Sequence, residues 1–154
     1  MVPYVLFLNV KVSCYRLYYR ESIKKRQVMK RINPIKTDLN KVKLLEVFKN
    51  SFPKRKYLII HRANEFTSVC PVTGQPDFGV ITISYIADKF CVELKSLKYY
   101  LQSFRNEGIF YENVTNRILE DLVKTIKPRW MEIYSEFSTR GGLNSTVVAE
   151  YGKR

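Results

Sequence analysis

Cys70 and Asp77, two residues whose side chains can do covalent chemistry, lie seven positions apart in this sequence. A cysteine thiolate can attack an electrophilic carbon, and a nearby carboxylic acid can donate the proton that the attack requires. The segment between them contains two prolines and a glycine, which predicts a loop that folds the acid back toward the thiol. A free cysteine is also commonly a small buried hydrophobic residue, and spacing alone leaves both interpretations open.

Carboxylates and cations farther along the chain suggest binding rather than bond making. Glu93 and Glu112 could each accept paired hydrogen bonds from the edge of a guanine-like base, although Glu112 could equally stabilise the start of a helix. Lys95 and Lys98 lie at the predicted start of a helix, where free backbone N–H groups also attract anions, and Arg140 precedes two glycines. These cations could hold phosphates, or they could be solvated surface charges.

Metal and nucleotide motifs are missing from the sequence. His61 is the only histidine, and with three scattered cysteines it does not form a zinc cluster, so we expect no metal and a structural role for His61. The glycines do not form a G-x-G-x-x-G pattern, and there is no P-loop. The residues by themselves therefore indicate no nicotinamide cofactor.

The elements that must position these residues are predicted from hydrophobic periodicity. Strands are predicted from Tyr57 to Phe66 and over Val80–Ile86, with residues 67–77 as the loop between them, and a short strand over 90–93. Leu94, Leu97, Leu101 and Phe104 share one face of a helix closed at Asn106–Gly108. The second helix is predicted from the apolar stripe Val114–Ile126. The last two strands are predicted from the alternating segment Met131–Phe137 and from residues 143–151, with the turn Arg140–Gly142 between them.

This order of elements is strand, strand, helix, helix, strand, strand. It predicts an α+β domain in which two helices cover one face of an antiparallel sheet. We assign residues 44–154 to this domain and residues 1–43 to a basic extension of uncertain order. Met29 lies inside the extension, and we consider it a possible true start of translation.

The net charge of +13 is unevenly distributed. Residues 1–56 contain 15 Lys and Arg against 3 Asp and Glu, whereas residues 57–154 contain 12 against 11. The folded domain is therefore not expected to bind nucleic acid. The apolar run Met1–Val10 is too short to span a membrane, and the odd number of cysteines indicates reduced thiols, so we expect a cytoplasmic protein with no membrane partner.

Three stretches of the sequence together resemble one enzyme family. Residues 65–78 (EFTSVCPVTGQPDF) resemble the active-site loop of the QueF family, the 7-cyano-7-deazaguanine reductases. Residues 93–100 (ELKSLKYY) fit that family's signature of a glutamate, two lysines and an aromatic pair. Residues 103–112 (SFRNEGIFYE) and Arg140–Gly142 complete the match in order. The resemblance covers residues 44–153.

The resemblance implies a fold and an assembly. The family has the tunnelling fold (T-fold), which it shares with GTP cyclohydrolase I, and its subunits form rings with active sites between neighbours. In the short members that this chain is similar to, two pentamers stack into a decamer. The resemblance therefore implies a homo-oligomer.

The resemblance also implies the chemistry and the role of each site residue. Cys70 would attack the nitrile carbon of 7-cyano-7-deazaguanine to form a thioimide, and Asp77 would supply protons. Two NADPH per turnover would reduce the adduct to the aminomethyl product in tRNA queuosine biosynthesis. The residues that would bind the substrate are Val92, Glu93, Leu94, Tyr111 and Glu112. The residues that would bind the cofactor phosphates are Lys95, Lys98 and Arg140.

One position departs from the family pattern, because Tyr111 stands where the best-known members have histidine. A tyrosine hydroxyl can contact the base but does not take a proton near neutral pH, so we expect Tyr111 to bind substrate without acid–base work. Two other functions compete with nitrile reduction. One is a pterin-type tunnelling-fold enzyme, which would need zinc ligands, and the other is a basic binding protein that acts through residues 1–56.

Overall fold

The β-branched segments of this chain form long antiparallel strands, and its amphipathic segments form two long helices. A computed structural model describes residues 39–154. In chain order the elements are α1 (Leu39–Val42), β1 (Val47–Lys49), β2 (Ile59–Val69), β3 (Pro76–Ile86), β4 (Phe90–Val92), α2 (Leu94–Gln102), α3 (Tyr111–Ile126), β5 (Trp130–Arg140) and β6 (Leu143–Gly152). The predicted α+β order is confirmed.

The four long strands form one antiparallel sheet in the order β2-β3-β5-β6. Hairpins join β2 to β3 and β5 to β6, while α2 and α3 lie in the connection between β3 and β5. Ile83 of β3 pairs with His61 of β2 and with Ile133 of β5, which fixes the register at the centre of the sheet. This arrangement leaves β2 and β6 as the outer strands within the described chain.

Both long helices bury their apolar faces, and α3 packs on β5 and β6. The buried side chains include Ile81, Ile83, Tyr85, Leu97, Tyr100, Leu101, Phe104, Val114, Ile118, Leu122, Ile126, Met131 and Ile133. Helix α3 ends at Ile126, where Lys127 adopts a left-handed conformation (φ 47°) ahead of Pro128. The predicted stripe Val114–Ile126 is therefore confirmed.

A second, two-stranded sheet leads into helix α2. Strand β1 pairs antiparallel with β4, with Val47 opposite Val92. The backbone N–H of Glu93 donates to the carbonyl of Glu46 at 2.9 Å, so the pairing continues to the residue that caps α2. This small sheet fixes the position of the predicted binding segment Val92–Leu94.

The predicted loop over residues 67–77 is wrong in its extent. Strand β2 continues through a bulge to Val69, and β3 already begins at Pro76, so only residues 70–75 connect the two strands. Pro76 is the first residue of its strand, a position where the missing N–H is tolerated. Asp77 consequently lies in the sheet, directly opposite Ser68, rather than on a loop.

Two predictions about helix α2 are also wrong. The helix ends at Gln102 rather than at Asn106, because the following backbone forms tighter turns in which each N–H bonds three residues back. Leu94 is not on the buried face; its side chain is 61% exposed at the first helical position. Leu97, Leu101 and Phe104 are buried as predicted.

Most of the predicted extension, including Met29, lies outside the described residues. Its last residues form helix α1, and Lys41 of α1 reaches the α2–α3 connection. None of the helices within residues 39–154 combines the length and apolar character needed to span a membrane.

Candidate active site

Cys70 lies on a short turn that β2 and β3 hold at both ends. The Cys70 N–H donates to the carbonyl of Gln75 at 2.8 Å, and the Gly74 N–H donates to the carbonyl of Cys70 at 2.9 Å. Gly74 has φ 70°, a conformation that glycine adopts without strain. The turn therefore has a defined shape, and it leaves the Cys70 thiol partly exposed.

Hydrogen bonds to sulfur make the Cys70 thiol more acidic than an ordinary cysteine. The hydroxyl and the backbone N–H of Thr73 contribute most, and the Val72 N–H and the Arg140 guanidinium add to them. Together they lower the pKa of Cys70, although partial burial of the sulfur opposes them. A lowered pKa increases the thiolate fraction near neutral pH, as a cysteine nucleophile requires.

Asp77 is buried, and two side chains from distant parts of the chain meet its carboxylate. The Tyr111 hydroxyl donates to Oδ1 at 2.6 Å, and Nη2 of Arg140 lies 3.0 Å from the same oxygen. Arg140 also donates to the carbonyl of Pro76 at 2.7 Å. Arg140 also helps to lower the pKa of Cys70, so one guanidinium acts on both the predicted nucleophile and the predicted acid.

Tyr111 is the first residue of α3, and its ring lies flat on that of Phe137. The ring centroids are 3.8 Å apart and the planes differ by 8°. Burial, followed by the contact with Asp77, raises the pKa of Tyr111 to about 12. The hydroxyl therefore stays protonated at neutral pH and acts as a hydrogen-bond donor to Asp77.

A cavity of about 420 Å³ opens beside this group of residues. Asp77, Tyr111 and Arg140 line it, together with Gln75, Pro76, Phe78, Ser138 and Thr139. The structure thus brings together four of the predicted site residues: Cys70, Asp77, Tyr111 and Arg140. Glu112 follows Tyr111 on α3 and is exposed to solvent.

The remaining predicted site residues lie at a second cavity, of about 730 Å³, between β2 and α2. Glu93, Leu94, Lys95 and Lys98 line this cavity, and Val92 is buried next to Glu93 in β4. Arg140 lines the first cavity instead. The three predicted phosphate-binding cations are therefore divided between two cavities of the chain.

Glu93 already uses its carboxylate as the N-cap of α2. Its two oxygens accept the backbone N–H groups of Lys95 and Ser96 at 2.8 and 2.7 Å, and these bonds lower the pKa of Glu93. The cap therefore occupies two of the N–H groups that were expected to be free for an anion at this helix start.

His61 is the histidine for which the sequence predicts a structural role rather than metal binding. His61 is half-buried in β2, its ring centroid lies 6.0 Å from that of Tyr85, and burial lowers its pKa. Among residues 39–154, no group of three or more His, Cys, Asp or Glu side chains could hold a metal ion.

Sequence reasoning missed the roles of Thr73 and Phe137. Thr73 lies three residues after Cys70 in a tight turn, and this spacing could have indicated a hydroxyl that returns to the thiol. Phe137 belongs to the alternating pattern of β5, which predicts only a strand. Its stacking on Tyr111 depends on the register between sheet and helix, which no local pattern encodes.

The fold and the site together define an α+β protein in which a buried carboxylate and a guanidinium line one cavity, near a thiol of lowered pKa. A family profile described as QueF-like protein matches residues 76–154, about half of the chain. The chain belongs to the QueF-like family. The resemblance found in the sequence is therefore confirmed.

The matches to curated relatives cover most of the domain and most of the length of each relative. The NADPH-dependent 7-cyano-7-deazaguanine reductase of Chloroherpeton thalassium is 62% identical over 111 residues, which span 72% of this chain and 96% of that protein. The protein of the same name from Rhodopirellula baltica is 59% identical over 107 residues, which span 70% and 88%. That from Chlorobaculum tepidum is 57% identical over 110 residues, which span 71% and 94%.

A solved structure supports the fold independently. The archaeosine synthase QueF-Like in its apo form superposes with a TM-score of 0.59 over 63% of this chain and 95% of that one. The sequence identity is 24%, so this likeness concerns the fold alone. The predicted tunnelling fold is confirmed.

Proposed function

We propose that this protein is an NADPH-dependent 7-cyano-7-deazaguanine reductase, which converts the nitrile to an aminomethyl group in tRNA queuosine biosynthesis. The observation that carries the proposal is the buried Asp77 carboxylate, which Tyr111 and Arg140 both contact, near a Cys70 thiol whose pKa is lowered. A nucleophile and a proton donor held beside one cavity are what covalent capture of a nitrile needs. Relatives 57–62% identical that carry this name support the same reaction.

Cys70 begins the reaction in this proposal. The Cys70 thiol gives its proton to the Asp77 carboxylate, and the sulfur forms a bond to the nitrile carbon as one π bond of the C≡N group breaks. The nitrogen then takes this proton from Asp77 to give a thioimide. Arg140 and Tyr111 hold the Asp77 carboxyl toward the substrate. After the carbon has been reduced, the C–S bond breaks, the electron pair returns to sulfur as thiolate, and an imine remains in the site.

NADPH is the hydride donor, and the balance of the reaction requires two equivalents: one for the thioimide carbon and one for the imine carbon. The residues present fit such a group, because Lys95 and Lys98 line the large cavity and their ammonium groups can pair with phosphate oxygens. In our proposal these two lysines hold phosphate oxygens, and Arg140 contributes from another subunit. The lysines act as point charges for the phosphates.

For the substrate, we assign recognition of the base to two carboxylates and to the residues beside them. Glu112 is exposed at the start of α3, and its two oxygens match the amino and ring N–H groups of a guanine-like edge. Tyr111, stacked on Phe137, provides a flat surface next to it. Val92, Glu93 and Leu94 form the opposite wall, contributed by a neighbouring subunit.

The proposed assembly is a decamer of two stacked pentamers. The outer strands β2 and β6 have 11 and 10 residues, and each has one unpaired edge among the described residues. Pairing β2 of one subunit with β6 of the next satisfies both edges, and a rotation that closes produces a ring. We place the protein in the cytoplasm, where the thiol that Cys70 must supply stays reduced.

Oxidation of NADPH tests this function directly. The full-length protein is mixed with limiting 7-cyano-7-deazaguanine and excess NADPH, and nicotinamide absorbance is followed to completion. We expect about two NADPH consumed per nitrile, from the balance of the reduction. A matched 7-cyano-7-deazaadenine control, which lacks the guanine edge, should consume none. The proposal is wrong if NADPH is not oxidised, or if its oxidation does not depend on the nitrile.

A further inference from the structure

The connection between α2 and α3 lies against the Cys70 turn through backbone hydrogen bonds. The Val69 N–H donates to the carbonyl of Glu107 at 2.9 Å, and the Ile109 N–H donates to the carbonyl of Val69 at 3.0 Å. Val69 immediately precedes Cys70, and both of its backbone polar groups are used in this bridge. Residues 107–109 therefore determine the path on which the chain enters the Cys70 turn.

Gly108 shows how closely the same connection approaches the other side of Cys70. A Cβ atom built on Gly108 would lie 3.4 Å from Cα and 3.6 Å from Cβ of Pro71, the residue that follows Cys70. The connection thus contacts the residues on both sides of the thiol. A shift of residues 107–109 has to move Cys70 relative to Thr73 and Arg140.

The side chain of Glu107 is fixed by two cations. Its Oε1 lies 2.6 Å from Nη1 of Arg117, a buried residue of α3, and its Oε2 bonds Nζ of Lys41 in α1. Lys41 also donates to the carbonyl of Ser103 at 3.0 Å and lies 4.1 Å from the centre of the Phe104 ring. These contacts tie Glu107 to α1, to α3 and to the end of α2 at once.

Glu107 lies in neither a helix nor a strand, and the connection around it meets β2 only through an isolated parallel bridge between Val69 and Gly108. A carboxylate held by two cations of low exposure is costly to disturb, since removing its charge takes one ion-pair partner from each cation. The ion pairs therefore hold in place the backbone segment that accepts from and donates to Val69.

We propose that Glu107 is a positioning residue for the Cys70 thiol, and that Lys41 and Arg117 act through it. The ion pairs fix the 107–109 backbone, and that backbone holds Cys70 within reach of Thr73 and Arg140. The link to turnover rests on the proposed function, but the link to thiol reactivity does not.

The test compares two variants that disturb the same buried cluster at different ends. Glu107→Gln keeps the shape of the side chain but presents an amide to two cations. Asp121→Asn is the matched control: Asp121 is buried, accepts the Tyr100 hydroxyl at 2.8 Å and lies 3.9 Å from Arg117, with no contact to residues 107–109. Thermal unfolding is measured for both, and Cys70 alkylation by iodoacetamide is followed across pH by mass mapping.

We expect both variants to unfold at lower temperature and only E107Q to lose thiol reactivity. The rate of Cys70 alkylation in E107Q at pH 7 should fall roughly tenfold or more, because small displacements of reacting groups have large rate effects. The pH midpoint of alkylation should move to higher pH. In the D121N variant the rate and midpoint should stay within about twofold of wild type, because Arg117, the residue that Asp121 shares with Glu107, keeps its close bond to Glu107. Lys41→Met removes one of the two cations and should give a smaller shift in the same direction.

The inference is overturned if E107Q and Lys41→Met alkylate at the wild-type rate and midpoint, or if D121N matches their loss. Should E107Q fail to fold, the comparison of Lys41→Met with D121N decides. Failure of the wild type to react with the nitrile would contradict the proposed function instead. The alkylation comparison would then still decide the role of Glu107.

Discussion

At Cys70 the acidity of the thiol depends on groups from two distant parts of the sequence. Thr73 belongs to the same turn, while Arg140 comes from the end of β5. The Thr73 hydroxyl is the largest contributor to the lowered pKa, and the Thr73 backbone N–H is the next. The acidity is therefore mainly a local property of the turn, and a single substitution can test it.

Thr73→Val should raise the pKa of Cys70 toward its ordinary value. Valine keeps the shape of threonine and the backbone N–H but removes the hydroxyl that stabilises the thiolate. Because alkylation follows the thiolate fraction, we expect the iodoacetamide rate at Cys70 to be lower near neutral pH and its midpoint to lie at higher pH. Mass mapping of the Cys70 peptide across pH provides the measurement.

Thr139→Val is the control for this prediction. Thr139 is exposed and lines the cavity beside Asp77 and Arg140, but it does not contribute to the pKa of Cys70. We expect the wild-type midpoint for this variant. Equal midpoints for the two valine variants and the wild type would show that the Thr73 hydroxyl does not stabilise the thiolate.

At Asp77 the prediction concerns turnover rather than folding. Asp77→Asn is close in shape and leaves an oxygen to accept from Tyr111, but it has no acidic proton to give the nitrile nitrogen. We expect the substrate to bind while the rate of NADPH oxidation falls by roughly 10²–10⁴-fold, the range of general acid catalysis. Asp88→Asn, at a half-exposed carboxylate paired with Arg129, is the control. Near-normal turnover of Asp77→Asn would remove Asp77 from the mechanism.

At the scale of the elements, hydrophobic periodicity predicted the core well. The stripe of α3 and the alternation of β5 are local patterns, and their buried residues agree with the structure. The ends of the elements were predicted less well. Pairing of Ser68 with Asp77 extends the β2–β3 hairpin into a segment rich in turn-forming residues, and this pairing is a long-range effect.

The site residues also divide into those that local sequence patterns predicted and those that only long-range contacts bring together. The sequence pointed to Cys70 and Asp77, which are neighbours along the chain, and left their roles open until the family resemblance was considered. The contact of Arg140 with Asp77 and the stacking of Tyr111 on Phe137 join residues far apart in sequence. They depend on how β5 and α3 meet the hairpin, so no local spacing could have predicted them.

Gly79 links the packing of these elements to the site. A Cβ atom at Gly79 would lie 2.7 Å from the carbonyl oxygen of Glu136 and 3.0 Å from the Phe137 ring that carries Tyr111. We expect Gly79→Ala to lower the free energy of unfolding by about 1–3 kcal/mol, as overpacking does, and to slow thioimide formation. Urea unfolding and the rate of adduct formation measure the two effects.

Gly108→Ala is the comparison for Gly79→Ala, since the substitution is the same and its new Cβ would meet Pro71 only at 3.4 Å or more. Its free energy of unfolding should change less than that of Gly79→Ala. If both alanines are tolerated equally, the close packing of β3 on β5 at Gly79 does not limit stability.

For the whole molecule, the division of the predicted site between two cavities favours an assembly in which neighbouring subunits complete each site. Glu93, Lys95 and Lys98 lie at one cavity, and Asp77 and Arg140 at the other. In a ring with repeated head-to-tail contacts, one cavity of each subunit can face the other cavity of its neighbour.

Mixing two inactive variants tests this sharing of sites. Cys70→Ala and Glu93→Gln proteins are unfolded together, refolded and assayed for NADPH oxidation. If each site takes its Cys70 and its Glu93 from different subunits, random assembly restores about a quarter of the sites in a heterologous ring. If the mixture stays inactive although mixed rings form, each site is built within one subunit. Separately refolded proteins, mixed afterwards, are the control.

The central claim, that Cys70 captures the nitrile covalently, is tested most directly by mixing enzyme and 7-cyano-7-deazaguanine without NADPH. Difference absorbance should reveal a thioimide that forms stoichiometrically with subunits, and the mass of the Cys70 peptide should increase by the mass of the substrate. Cys70→Ala should show neither change. Contradiction would come from a wild-type enzyme that oxidises NADPH with this nitrile yet forms no adduct, or from an adduct that persists in Cys70→Ala.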